Sequence, residues 1–327
     1  MPSVGSEIPA HLVVMGGIIM ATSERRVPTM EEVRGYLTQR RNWGRWGDKG
    51  SAGAINMIDD EKRLKATQLV SKGRAVSLSR PFPVEPGPEN PRPAQQFLTV
   101  WERPNNSGAA VDYYGIMYHG TSTTHIDALC HVWDENGMWD GREPKETLTF
   151  SGAKYGTVDQ WSDGILTRGV FLDVPKHRGE PYVTMDRPVH GWELEDIAKE
   201  EGITLEPGDA VIVYSGRDAY ARDHDGVWAA AGADRAGLHT SCMPFIRDND
   251  VSLLVWDMMD ASPNEYGLSW GVHLVIAAYG VALVDNCLLE PLANVCAEEG
   301  RYEFMLTINP LVVPGGTGSP ANPIAVF

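Results

Sequence analysis

The chain has 327 residues, 43% of them hydrophobic and 22% charged, and carries a net charge of −16. This balance is that of a soluble globular protein and excludes a membrane span, and so acidic a chain excludes nucleic acid, whose binding relies on Lys and Arg neutralising phosphates. Its four cysteines form no CxxC pair and lie in apolar settings, which excludes a disulfide framework and a thiolate zinc site.

In chain order, His11 to Ala21 (HLVVMGGIIMA) is apolar like a signal sequence, yet no Lys or Arg precedes it and two glycines interrupt it. It reads as an arm or a strand. Polar residues follow Met20, so Met1 and Met20 are alternative starts, and the cytoplasm is the expected location for either. Thr29 to Leu37 then has a Thr and a Glu pair ahead of helically spaced apolar residues, a capped helix. Residues 1–41 are thus expected to form an N-terminal arm and helix, and 42–327 a single domain.

The stretch Asn42 to Ile58 (NWGRWGDKGSAGAINMI) is rich in Gly and Trp and should be irregular, with Trp43 and Trp46 either filling a groove or packing over a neighbour. Asp59 to Ser71 reads as a short amphipathic helix ended by Gly73, and Ala75 to Ser79 as a strand. The prolines of Pro81 to Gln96 forbid both helix and central strand, leaving a long extended loop.

Three short apolar runs follow, Gly169 to Val174, Asp209 to Tyr214 and Val251 to Trp256, each patterned as a strand buried on both faces. Helical segments between them, Trp192 to Glu201 and Ser241 to Arg247, complete an α/β alternation with a mixed sheet. Trp270 to Val281 is apolar nearly all round, a buried helix holding a lone His273, and Asp285 follows another apolar run. The tail opens as a strand and ends Gly/Pro-rich, with apolar Ile324 to Phe327 lying against the body.

The densest cluster of chemistry is YHGTSTTHIDALCHVW, Tyr118 to Trp133. If His125 to Asp127 is extended, imidazole and carboxylate point to one face, and His131 lies beyond a turn at its lip. These donors suit zinc, manganese or iron, and the residues alone leave open a reading as hydrogen-bonded core histidines. No GxSxG elbow, P-loop or dinucleotide fingerprint competes.

Several motifs together resemble the metal-dependent cyclase family of bacterial kynurenine formamidases, isatin hydrolases and trans-dienelactone hydrolases. They are THIDALCH, VSLSRPF, EPGDAVIVYSG and HLVIAAYGVALVDN, while NWGRWGDKGSAGAINMI and PGGTGSPANPIAVF resemble its longer bacterial branch, so that the likeness runs from Asn42 to Phe327. The resemblance implies a barrel-like mixed β-sheet surrounded by helices, of the swivelling β/β/α type, in a homodimer or homotetramer.

By the same resemblance His125 and Asp127 are ligands of a divalent metal, Zn or Mn, and His131 is the general acid or base. His273 and Asp285 are ligands of a second ion or partners of the first set, with Asp285 standing where the family more often has Glu. The family's first ligand, four residues before His125, is here Thr121. His119 and His239 are the candidates to fill that gap, and His11, His177, His190 and His224 are expected at the solvated surface. The implied activity is hydrolysis of a small-molecule amide, lactam or lactone, with Trp43, Trp46, Trp133 and the Pro81 to Gln96 loop shaping the pocket. A non-catalytic metabolite- or metal-binding protein and a metal-dependent lyase are the rival readings.

Overall fold

The computed structural model describes residues 25–230 and 232–327, so His11 to Ala21 and the two alternative starts lie outside the described residues. The first described helix is Met30–Thr38, where Thr29 and Glu32 form a reciprocal capping box and Val33 and Leu37 face inward. The helix Asp60–Gln68 follows, its N-cap supplied by Asp59. It stops five residues short of Gly73, because Leu69 and Val70 already bond back into its last turn.

Among the described residues nine strands make one sheet: β1 (Ala75–Ser77), β2 (His125–Asp127), β3 (Ile165–Asp173), β4 (Ala210–Tyr214), β5 (Leu253–Trp256), β6 (Ala282–Asp285), β7 (Glu303–Ile308), β8 (Gly318–Pro320) and β9 (Ile324–Val326). Their order is β1-β9-β7-β3-β4-β5-β6-β2-β8. The four central strands, β3 to β6, are parallel, and every other pairing is antiparallel. Strands β4, β5 and β6 are buried at every residue, as their unbroken apolar runs require. The helices Gly191–Glu200, Cys242–Asp248 and Glu290–Glu299 carry buried apolar faces.

The sheet curls into a half-barrel. Strands β8 and β9 stand near opposite ends of the strand order, yet only Ala321 to Pro323 join them. Four residue steps span at most about 14 Å, so the two ends must lie close together. Backbone bonds fasten this seam: Ala321 donates to the Thr124 carbonyl and Leu78 to that of Pro323.

Several expectations are corrected. The buried helix expected over Trp270 to Val281 is a 3-10 turn, Val272–Leu274, followed by one short helix, Val275–Tyr279, because Gly280 takes a left-handed conformation that ends it. Trp43 and Trp46 pack against the core: the Trp43 indole donates to the Ala277 carbonyl at 2.7 Å, and Trp46 lies against Trp139. The tail is a pair of strands within the sheet. His190 is half-buried and stacked on Trp192, and burial beside His239 lowers its pKa to about 4. The composition also hid a hairpin, Gln95–Arg103 against Ser107–Gly115.

All four cysteines are buried and free. Among the described residues no helix is long and apolar enough to cross a membrane.

One carboxyl group outside the site sets a pH expectation. Burial raises Glu201 to about 7, against the opposing Lys176 ammonium at 3.1 Å. Its folded pKa lies above the unfolded one, so its contribution to stability is complete below pH 4.5 and lost as pH rises through 7. Glu201→Gln keeps an acceptor for Lys176 and should stabilise the protein at pH 8 by roughly 1–2 kcal/mol, less than the full shift because the site is partly wet. Urea denaturation at pH 5 and pH 8 checks it, since the wild-type loss between these pH values should shrink.

Candidate metal centre

Strand β2 supplies the centre of the site. Residues two apart on a strand share a face, and residues directly opposite on paired strands share one too. In the β2–β6 register His125 faces Asp285 and Asp127 faces Leu283, so His125, Asp127 and Asp285 project together from one side. All three are buried, Asp127 completely. The site lies where β5 and β6 end, the usual place for ligands on an open parallel sheet.

Three imidazoles surround Asp127. His119 Nδ1 stands 2.9 Å from Oδ1, His125 Nε2 3.3 Å from Oδ1 and His131 Nε2 3.9 Å from Oδ2. Neither carboxylate oxygen accepts a hydrogen bond, and His119 Nδ1 is likewise without a hydrogen-bond partner. Buried polar groups left in this state need a further partner. His125 is oriented by its other nitrogen, since Nδ1 lies 2.8 Å from the Thr123 carbonyl, which can only accept. Its Nε2 therefore turns a lone pair towards Asp127 unless a proton or a cation lies between them.

The electrostatics follow. Burial alone would lower the His125 pKa, but the Asp127 carboxylate, aided by Asp285, overrides it and raises it to about 9. Burial would raise Asp127, and the His131 and His125 rings hold it well below the carboxylate range instead. Burial lowers His131 to about 4 against the pull of Asp127, so this ring is neutral at pH 7.

Among the described residues two overlapping groups could hold a cation: His119 with Asp127 and His131, and His125 with Asp127 and Asp285, the ligand atoms of each group lying within 4.8 Å of one another. Asp127 belongs to both. The orphaned carboxylate oxygens and the mixed nitrogen and oxygen donors fit a divalent ion.

Of the two candidates for the gap at Thr121, His119 stands beside Asp127. Its ring stacks on His131 with centroids 3.7 Å apart, and its Nε2 meets the Thr317 hydroxyl at 3.0 Å, which leaves Nδ1 for Asp127. Gly318 permits this, because a Cβ there would lie 2.4 Å from the Ile126 carbonyl oxygen and 3.0 Å from the His119 ring. The loop behind His119 is held from several sides. Asn286 donates to the carbonyls of Gly120 and Thr123, Arg217 donates to that of Thr121, and the Thr121 hydroxyl donates to the Glu89 carbonyl. The Thr121 hydroxyl is thus engaged with the Glu89 backbone.

His239 stands elsewhere, corrected from a candidate in this site to a turn residue: Nε2 is 2.8 Å from Glu265, and Nδ1 accepts the Ser241 amide at 3.0 Å. His119→Ala is accordingly expected to weaken divalent-cation binding at least about tenfold, and His239→Ala to leave it unchanged, by calorimetric titration.

Of the two roles open to His273, its position fits that of a partner to Asp285. Both ring nitrogens face carboxylates, Asp260 at 2.6 Å and Asp285 at 3.2 Å, so neither is free for an ion. Burial opposes a charge there, yet the two carboxylates outweigh it and raise its pKa well above the usual value. The Trp256 indole donates to the other oxygen of Asp285. Asp260 and Trp256 were not singled out in the sequence, although Asp260 closely follows an apolar run, the same signal that marked Asp285.

A cavity of about 830 Å³ is lined by Leu37, Trp133, Tyr266, Trp270 and Leu274 among others, and none of His119, His125, Asp127 and His131 lines it. The Trp270 ring lies 6.4 Å from that of His131 and 5.2 Å from that of His273. Of the three indoles named for the pocket only Trp133 lines it. The Pro81 to Gln96 loop borders a separate cleft of about 300 Å³ with Arg80 and Arg217.

Against known proteins, the family described as "Putative cyclase" matches residues 76–263. A crystal structure of a novel cyclase is similar at 25% identity and a TM-score of 0.77, over 92% of this chain and 100% of that one. Isatin hydrolase A from Labrenzia aggregata bound to benzyl benzoate is 16% identical with a TM-score of 0.55, over 80% of this chain and 94% of its own. An isatin hydrolase bound to the product analogue thioisatinate is 13% identical with a TM-score of 0.51, over 82% and 99%. These two share the fold. No curated protein matches the chain.

Proposed function

The chain belongs to the cyclase family, and on that premise we propose that it is a metal-dependent hydrolase acting on a small cyclic or aryl amide, lactam or lactone. The observation that carries this reading is Asp127, a fully buried carboxylate whose oxygens accept no well-aligned hydrogen bond and face three imidazoles at 2.9, 3.3 and 3.9 Å. Asp127, His125 and His119 are the residues that would hold a zinc or manganese ion. Such an ion supplies polarisation of a carbonyl and acidification of a water.

The chain's own groups do the rest. His131, neutral at pH 7 and at the lip of the site, takes a proton from water and returns it to the leaving nitrogen or oxygen. Trp270, whose ring lies 6.4 Å from that of His131, and Trp133 give the cavity beyond it walls that suit a flat ring. Asp285, fixed by Trp256 and His273, holds negative charge behind His125.

The experiment is hydrolysis of a panel of aryl lactams, lactones and formamides by protein loaded with zinc or manganese and by protein stripped with a chelator. Turnover should require the ion, and His131→Ala should keep the ion while losing turnover. Full activity in a preparation shown to be metal-free would sink the reading.

A pH dependence follows from His125. A proton on Nε2 competes with a cation, so affinity should weaken as pH falls below about 9, by up to about tenfold per pH unit. Titration across pH 6 to 9 tests this, and a flat profile would count against His125 as a ligand.

A further inference from the structure

The Gly/Pro-rich tail carries a side chain into the candidate site. Its stretch Gly315 to Pro320 (GGTGSP) is laced to the body through its backbone. The Gly315 amide donates to the Asp159 carboxylate at 3.0 Å, and the carbonyls of Gly315, Gly316 and Thr317 accept from the amides of Ala153, Val158 and Ala128. Strand β8 then pairs with β2. Thr317 is half-buried, and the chain on both sides of it is fixed, so its hydroxyl has a set place.

That hydroxyl meets one end of the His119 ring, 3.0 Å from Nε2, while Nδ1 at the other end stands 2.9 Å from Asp127 Oδ1. Thr317 also interacts with the hydroxyl of Tyr118, whose ring packs on that of His119 with centroids 4.5 Å apart. The Tyr118 hydroxyl donates to the Gly318 carbonyl at 2.8 Å. A carbonyl oxygen only accepts, and each hydroxyl has one proton to give. Tyr118 gives its proton to Gly318 and so receives that of Thr317, which leaves Thr317 to accept from His119. In a neutral His119 ring Nε2 therefore carries the proton and Nδ1 a lone pair.

We infer that Thr317 is a positioning residue for His119: backed by Tyr118 and the Gly318 carbonyl, it holds the ring proton on Nε2 and makes Nδ1 the atom offered to a divalent ion. The role presupposes the metal-dependent reading, in which His119 and Asp127 hold that ion. The surroundings of Nδ1 agree with it. This nitrogen is buried without a hydrogen-bond partner although Asp127 stands 2.9 Å away, as a lone pair turned towards a carboxylate would be. Two electron-rich atoms facing one another repel, and a cation between them reverses the sign of the interaction. Without the Thr317 hydroxyl the proton can pass to Nδ1 and bond Asp127. It would then compete with the ion for both residues.

The test titrates zinc into the wild type, Thr317→Val, Thr317→Ser and Tyr118→Phe by calorimetry, and records long-range proton–nitrogen NMR spectra of the zinc-loaded proteins with isotope-labelled histidine. The His119 signals are those absent from His119→Ala. In the wild type the His119 proton should lie on Nε2 and zinc on Nδ1. Thr317→Val keeps the side-chain shape without the hydroxyl, so zinc affinity should fall roughly 10–100-fold. Tyr118→Phe should lose less, and Thr317→Ser should keep both the affinity and the Nε2 proton. A wild-type His119 with its proton on Nδ1, or with no zinc on Nδ1, overturns the role of Thr317. So does a Thr317→Val protein that binds zinc as tightly as the wild type, and in each of these cases zinc binding by the wild type leaves the metal-dependent reading standing. A wild type that binds no zinc overturns that reading and the role of Thr317 together.

Discussion

Replacing Asp127 with asparagine is expected to cut divalent-cation affinity about 1,000-fold, and kcat/KM with it. The side chain keeps its volume and loses its charge at the one position common to both potential ion-holding groups. Removing one member of a fully buried set of charges costs about 4 kcal/mol, which corresponds to that factor. Because the Asp127 carboxylate also sustains the charge on the buried His125 ring, the metal-free variant should melt below the metal-free wild type as well. Metal analysis with thermal denaturation in the presence and absence of a chelator separates the two effects. Unchanged metal content in the variant would remove Asp127 from the centre of the site.

The second large effect concerns Asp260. It accepts the Gly271 amide at 2.6 Å, faces His273 Nδ1 at 2.6 Å and stands 3.3 Å from Arg235. Asp260→Ala should destabilise the fold by about 3–5 kcal/mol, because it leaves a buried imidazolium with one partner fewer. Asp260→Asn keeps an acceptor and should lose less. In both variants His273 no longer holds Asp285 firmly, so cation affinity should also fall, by roughly 10–100-fold. Urea denaturation and calorimetry at pH 7 give the two readouts. If Asp260→Ala costs less than about 1 kcal/mol, His273 is not carried as a charged group.

Much of this architecture was legible in the sequence because its signals are local. The capping box at Thr29 and Glu32 and the unbroken apolar runs of β4, β5 and β6 reflect backbone rules that operate within a few residues. The spacing of His125 and Asp127 told their shared face for the same reason. His119 could only be offered beside His239, since the choice between them depends on how the loop behind Thr121 is held. Arg217, Asn286 and Glu89, which hold it, come from three distant parts of the chain. Asp260 was missed because its partner His273 lies 13 residues away across a turn. The hairpin was missed because both its faces are exposed, so the alternation that marks a half-buried strand is absent.

The three-residue crossing from β8 to β9 has a mechanical consequence. Pulling on the C-terminus loads this seam first, peeling β9 from β1 and β7 and then β8 from β2. Strand β8 is the wall behind His119 and the outer neighbour of Asp127. Under tension the site would therefore open while the central parallel strands remain unloaded, and a force trace should show loss of a bound ion as an early, small step before the main rupture.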